Sequence, residues 1–305
     1  MSSLKGARVF ATGATGYIGS HLTKKLVEDG SEVHVLIRPS SSKKTIENLL
    51  AHHQIHVYDG SYQSMDQAIK KARPDIVFHL SSFASIRYET KDVPNMLESN
   101  VVMASYLLEA MAKNQVNKLV NTSSFSQHMN QALYHPNSLY AATKQAFEDI
   151  LFYYTDGTAM NAITLVLFDN YGPHDPRPKL MNLIYRAASE GTTLLLSPGE
   201  QLLDLLYIDD VIAAYIVAAE RLLANESSGM ERFSVGSEKR ISLRKLVSTV
   251  ETVIGKQVRV KWGAIDYRPN EIMIPWHKGI RMPGWQQTIT LERGIQMYFK
   301  ENDAR

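Results

Sequence analysis

The 305-residue chain contains no cysteine. Disulfides, thiolate nucleophiles and cysteine-ligated metals are thereby excluded, and a reducing compartment is consistent with that composition. Net charge is nearly absent: 33 Lys and Arg against 31 Asp and Glu leave a formal +2. No strong field therefore points to nucleic acid or to an acidic membrane surface. No apolar run approaches the ~20 residues of a membrane span. The stretch from Met1 to Arg8 is too short and polar to be a secretory leader. A cytoplasmic protein is expected. Internal repeats and low-complexity tracts are also missing. What is present is 44% hydrophobic and 21% charged residues, enough for one large α/β domain and a smaller lobe.

Strand and helix patterns alternate through the first half. Arg8 to Thr12 is a short apolar run that ends in a glycine-rich turn. Ile18, Leu22 and Leu26 then recur at helical spacing until Gly30. Further strands are expected at Glu32 to Ile37, Ile55 to Tyr58, Asp75 to Leu80, Lys118 to Thr122 and Ala162 to Phe168, with helices at Pro94 to Met111 and Tyr140 to Tyr154. This alternation implies right-handed βαβ units and a doubly wound, Rossmann-type parallel sheet. After Asn170 the texture changes. Pro173, Pro176 and Pro178 interrupt regular helix, Asp209 and Asp210 are expected to cap a helix running to Leu223, and the tail from Ile241 reads as less regular. The expected division is a dinucleotide-binding domain at 1–170, with 203–235 returning to it, and a substrate lobe at 171–202 and 236–305.

The turn Gly13-Ala14-Thr15-Gly16-Tyr17-Ile18-Gly19 lies between the first strand and the first helix. Its glycines allow a tight turn, close approach to a pyrophosphate, and close packing of helix on strand. The helix N-terminus offers free N–H groups to phosphate. The second strand ends in Arg38, followed by Ser40, Ser41, Ser42 and Lys43. A carboxylate there would bind a ribose 2′-hydroxyl, whereas a cationic, hydroxyl-rich turn suits a 2′-phosphate. The cofactor expected is NADPH (NADP+), with a solvated surface arginine as the plainer reading. Asp59, before Gly60, is either a turn residue or an acceptor for the adenine amino group.

Tyr140 and Lys144 stand four apart, hence on one helix face, where a lysine cation would lower the phenol pKa. Ser123-Ser124 ends the fifth strand, on the sheet edge where open parallel sheets bind ligands. His79 on an apolar strand reads as a satisfied core histidine. His52-His53 lacks a third ligand at metal spacing, so no metal is expected.

With these pieces in this order, the chain resembles the extended short-chain dehydrogenase/reductases of the NAD-dependent epimerase/dehydratase group over nearly its full length. The matching segments are Gly13 to Gly19, Asp75 to Ser81, Ser124, Tyr140 with Lys144, Phe168 to Pro173, and Asp204 to Asp210. The resemblance implies that Tyr140 exchanges a proton with a sugar oxygen, that Ser124 hydrogen-bonds the same oxygen, and that Lys144 binds the nicotinamide ribose. It implies cofactor contacts from Gly13, Thr15, Gly16, Tyr17, Ile18, Gly19, Arg38, Ser41, Lys43, Asp59, Gly60, Leu80, Ser81, Ser82 and Asn100. Substrate contacts are expected from Ser85, Phe125, Asn170, Lys179, Leu180, Gln201, Arg268 and Glu271. A homodimer is implied, built from helices near 95–112 and 139–154.

The 4,6-dehydratases of this group carry Asp-Glu after the catalytic hydroxyl. Here Phe125 and Ser126 stand there and neither titrates, so dehydration is disfavoured. The segments Gly263 to Met273 and Gly199-Glu200-Gln201 are similar to CDP-abequose and CDP-paratose synthases, which implies an NADPH-dependent C4-ketoreductase acting on a CDP- or dTDP-linked 4-keto-deoxyhexose, with Arg268 offered to the diphosphate. The other readings are a nucleotide-sugar 4-epimerase holding NAD and a non-enzymatic dinucleotide sensor. Two departures stand out: Leu203 replaces an arginine found in many relatives, and His128-Met129 replaces a Tyr-Gly. His128 therefore either touches the sugar or is a loop histidine.

Overall fold

The computed structural model describes residues 4–85, 88–237 and 239–303. Seven strands, β1 (Arg8–Thr12), β2 (Glu32–Ile37), β3 (Ile55–Val57), β4 (Ile76–His79), β5 (Lys118–Ser124), β6 (Asn161–Leu167) and β7 (Met230–Val235), form one sheet. It is parallel throughout, in the order β7-β6-β5-β4-β1-β2-β3. The strands read as nearly continuous apolar runs because helices cover both faces. On one face Val9, Ala11, Val33 and Val35 pack under α1 (Tyr17–Glu28) and α7 (Ile208–Leu223). On the other, Phe10, Leu36, Val77 and Leu119 meet α2 (Tyr62–Ala72), α4 (Met103–Lys113) and α5 (Leu139–Gly157). Neighbours in sequence thus face opposite ways, as the period of two requires. No helix among the described residues is long and apolar enough to cross a membrane.

The helix expected at Pro94 to Met111 is interrupted. A short α3 (Val93–Leu97) leads into a π-turn at Glu98–Val102 before α4 begins. Such turns gather at functional sites, and this one carries Asn100. The region from Leu180 on is more regular than its sequence suggested. It contains α6 (Leu180–Glu190), α8 (Leu243–Ile254) and α9 (Leu291–Asp303). Ser242 caps α8 by accepting from the Lys245 amide, and Gly255 ends it in the left-handed conformation.

Asp209 and Asp210 do not cap α7 through their side chains. The N-cap is Tyr207, without a side-chain bond, and both aspartates lie in the first turn. Asp210, fully buried, accepts hydrogen bonds from Thr288 N (3.0 Å), Thr288 Oγ1 (2.6 Å) and Ile289 N (3.0 Å). It pins the C-terminal segment onto the sheet domain. Asp210→Ala is expected to cost about 3 kcal/mol, because it removes a buried acceptor that takes three hydrogen bonds from the C-terminal segment, and a urea midpoint unchanged from the parent would refute that role.

Candidate active site

The strand order reverses between β1 and β4, and the crevice beyond their carboxyl ends is where open α/β sheets bind ligands. Here it is a cleft of about 180 Å³ lined by Gly13, Thr15, Gly16, Arg38, Ser41, Leu80, Ser81 and Ser82. Tyr58, Ser99 and Met103 line it too and carry no sequence signal. Gly13 has φ +75°, and a Cβ on it would lie 2.6 Å from Ser81 N. Its Thr12 neighbour is tied across the switch point, Oγ1 accepting from Ser81 N at 3.3 Å. A Cβ on Gly19 would fall on the Gly13 carbonyl, so helix and turn touch there. α1 begins at Gly16 with no side-chain cap and no acidic residue in its first turn. The free amides of Tyr17 and Ile18 are thus left for an anion, and the cradle fits a dinucleotide pyrophosphate.

Around this cradle several expected contacts are placed differently. Tyr17 turns its ring under the segment 172–177, where the Arg177 guanidinium lies 4.9 Å from its centroid. Only its backbone faces the cleft end of α1. Asp59 is a turn residue: its Oδ1 accepts from Ser61 N (2.9 Å) and Ser61 Oγ (2.6 Å), bonds that hold its carboxyl below the usual range. Gly60, at φ +98°, completes that turn. Asn100 is buried and its amide is taken by protein. Its Oδ1 accepts from Phe83 N (2.7 Å) and Ser82 Oγ (3.1 Å), and its Nδ2 donates to Thr143 Oγ1 (2.9 Å). The residue clamps the loop after β4 to α5. Lys43 is exposed and opens a helical turn outside the cleft lining. His79 is buried, with Nδ1 2.8 Å from Thr12 Oγ1, as a satisfied core histidine should be.

β5 ends at Ser124, and α5, capped by Ser138 accepting from Ala141 N, brings Tyr140 opposite it. The Tyr140 hydroxyl lies near enough to Ser82 and Ser124 for both hydroxyls to favour its ionised form. Ser126 N donates to Ser124 Oγ at 3.2 Å, so the serine proton remains free to be given to an acceptor. Burial holds the Tyr140 phenol above its ordinary value, although Ser82, Ser124 and the charge of Arg177 oppose the rise. The expected lowering by Lys144 is not found. Burial pushes buried Lys144 itself down to about 8, against the attraction of Glu148. Lys144 therefore carries its charge only below about pH 8.

A strand-turn-helix cradle beside a Ser–Tyr–Lys cluster is the decisive juxtaposition, and the family description "NAD dependent epimerase/dehydratase family" matches residues 9–236. The chain belongs to this family. Among its curated relatives, CDP-abequose synthase from Yersinia pseudotuberculosis is 27% identical over 277 residues, covering 89% of this chain and 92% of the relative. UDP-glucose 4-epimerase from Mycolicibacterium smegmatis is 29% identical over 309 residues, covering 94% and 96%. A UDP-glucose 4-epimerase structure from Stenotrophomonas maltophila, with bound NAD and formylated UDP-arabinopyranose, superposes with a TM-score of 0.84 at 20% identity, over 98% of both chains. At that identity the superposition shows the shared fold.

In this member of the epimerase/dehydratase family the residues expected to hold substrate fall into two groups. Beside Ser124, Phe125 stacks on Phe168 with centroids 5.1 Å apart. Farther out, Arg268 gives one edge of its guanidinium to Glu271, with Nε and Nη2 each 2.7 Å from a carboxylate oxygen. Only its remaining Nη protons are left for a diphosphate. Lys179 is exposed at the head of α6, and Leu180 is half-buried against the core. Asn170 donates to Phe168 O at 3.3 Å while its Oδ1 is buried without a partner. Gln201 is buried against Ser197, 3.1 Å from Nε2 to Oγ, and its amide does not present itself to a substrate. Ser85 is half-buried in the loop after β4.

His128 is a loop histidine turned into the protein. It is buried flat on Trp276 (3.9 Å, 19°), its Nδ1 meets Ala132 O at 3.2 Å, and its Nε2 lies 2.7 Å from Arg232 Nη2. Burial, then Arg232, push it down to about 4, so it is neutral. Sequence reasoning passed over Asp169, Arg177 and Glu148. Burial holds the Asp169 carboxyl above its usual range, although Lys179, Arg268 and Arg177 face it. Arg177 is bound through Nε and Nη2 to Asp175, each at 2.7 Å. Its place in a proline-broken segment gave no periodic signal.

Proposed function

We propose that the chain reduces the C4 ketone of a CDP- or dTDP-linked 4-keto-6-deoxyhexose or 3,6-dideoxyhexose, using NADPH. The observation that carries this reading is the Tyr140 phenol, set beside Ser124 at the end of β5 and held above its ordinary pKa by burial. A reduction ends by giving a proton to oxygen, so it needs the acid form at rest. Oxidation of a sugar alcohol would need the base. The similarity to CDP-abequose synthases supports the substrate class. Phe125 and Ser126 supply no acid or base for dehydration. Arg38 is exposed, with no carboxylate in ion-pair distance among the described residues, and supports a 2′-phosphate partner.

When bound, the reduced nicotinamide supplies the hydride to the ketone carbon. Ser124 donates its hydroxyl proton toward the ketone oxygen, and Tyr140 transfers its own proton to that oxygen as the alcohol forms. Lys144, charged below about pH 8, steadies the phenolate left behind until solvent protons restore it. The stacked Phe125 and Phe168 rings give the sugar an apolar wall, which suits a deoxygenated ring. Phe152 and Tyr153 on α5 are 60% and 71% exposed, an apolar surface that supports a homodimer through that helix.

The experiment is NADPH consumption by the purified protein with CDP-4-keto-3,6-dideoxyglucose and with CDP- and dTDP-4-keto-6-deoxyglucose. Ketosugar-dependent oxidation of NADPH is expected, and a flat trace with all three overturns the reading. The similarity to a UDP-glucose 4-epimerase at 29% identity favours 4-epimerisation as the second reading. Protein purified with stoichiometric NAD and idle toward NADPH would establish it.

A further inference from the structure

The turn that presents Ser124 is held by a buried charge on the same helix as Tyr140 and Lys144. Glu148 lies four residues beyond Lys144, as Lys144 lies four beyond Tyr140, so the three occupy successive turns of α5 on adjoining positions. Glu148 is 3% exposed. Its Oε1 accepts from Gln127 Nε2 at 2.9 Å and from the Ser123 hydroxyl. Gln127 in turn accepts the Ser124 amide at 3.2 Å. The other carboxylate oxygen faces Arg232 Nε at 3.3 Å, an ion pair without hydrogen-bond alignment. Arg232, on β7, reaches His128 through Nη2. The turn is therefore tied at Gln127 through Glu148 and at His128 through Arg232.

A buried carboxylate is costly unless its oxygens are engaged and a cation balances it. Glu148 meets both conditions with groups belonging to the site. Of the groups that face it, Arg232 comes from β7 and Lys144 from its own helix. Those facing Lys144 are Glu148 and, from β4, His79, which burial keeps neutral. Glu148 is thus the negative charge on the lysine's side of the site.

We propose that Glu148 is a positioning residue of the reaction: it holds the Ser123–Gln127 turn that presents Ser124 and supplies the negative charge facing Lys144. This rests on the ketoreductase reading for its consequence in turnover, but not for its effect on Lys144. The test therefore has two arms. In protein labelled at the lysine ε-carbons, the Lys144 resonance, assigned by its loss in Lys144→Met, is titrated by NMR. It is expected to titrate near pH 8 in the unaltered chain and about one pH unit lower in Glu148→Gln. Glu148→Asp keeps the charge and shortens the arm. Its lysine titration is expected to stay in place while ketone reduction slows, because Gln127 is released.

In the second arm, the basic limb of kcat against pH moves down with the lysine in Glu148→Gln, lowering kcat about fivefold at pH 8, the ratio of protonated fractions for a one-unit shift. A residue that only filled space would leave that limb in place. An unmoved Lys144 titration in Glu148→Gln overturns the proposal. Should that variant not fold, unchanged turnover in Glu148→Asp overturns it instead. Absence of turnover in the unaltered chain would sink the ketoreductase reading alone, with the titration still deciding the role of Glu148.

Discussion

Tyr140→Phe is expected to lower kcat for ketone reduction by about 10³-fold, the scale of a lost general acid, while NADPH still binds. The phenyl ring keeps the volume of the half-buried side chain, so the α5 packing survives. What disappears is the phenolic proton beside Ser124 and Ser82. Ser124 cannot replace it, because its own proton already serves to orient the ketone oxygen. Lys144 carries a proton below about pH 8, but it would have to give up the charge that steadies the reaction. Ser82 remains tied to Asn100 at 3.1 Å, so the loop after β4 keeps its place and the cofactor cleft with it. The measurement pairs single-turnover NADPH oxidation with a fluorescence titration of NADPH binding. Turnover within tenfold of the parent, with binding intact, would mean that the proton comes from another group.

The sheet and its cofactor edge were legible because their signals are local and periodic. Alternating apolar runs, three glycines between a strand and a helix, and a tyrosine and lysine four apart each reflect one backbone geometry. The parts that were not legible depend on contacts made across the sequence. Glu148 reads on paper as one more i,i+4 partner on a helix surface, and only the turn after β5 and the arrival of Arg232 on β7 bury it. Asp59 sits where an adenine contact was open, but a serine two residues on takes the carboxylate first, a local bond that competes with any ligand. The tail was underread for another reason. Leu243, Leu246, Val247 and Val250 make a helical stripe after a Ser242 cap and before Gly255, so α8 was legible. Its signal was masked by the irregular segments around it. Gln201 lies in a matching motif, yet its amide turns to Ser197, because a motif records position and not side-chain direction.

Arg38→Asp is expected to reverse the coenzyme preference, lowering kcat/KM for NADPH by about 10²-fold while NADH is used as well as before or better. The arginine stands at the exit of β2, on the rim of the cleft, with its side chain in solvent. The turn beneath it does not depend on the guanidinium: Ser41 N donates to Arg38 O at 3.0 Å and Arg38 N donates to Ser41 Oγ at 3.1 Å. A substitution therefore changes charge without reshaping the turn, and an exposed site of this kind has little effect on folding. A charge-assisted bond to phosphate contributes about 1.5–3 kcal/mol, which is roughly 10- to 100-fold in affinity. The aspartate adds repulsion of a 2′-phosphate and an acceptor for a 2′-hydroxyl, so both effects act on the preference in the same direction. Arg38→Gln separates them: it removes the cation without adding the anion, and it should weaken NADPH without improving NADH. The ratio of kcat/KM for the two coenzymes, measured with one ketosugar, reads the outcome. An unchanged ratio in Arg38→Asp would mean that the guanidinium faces only solvent, and a parent that already prefers NADH would shift the balance to the 4-epimerase reading.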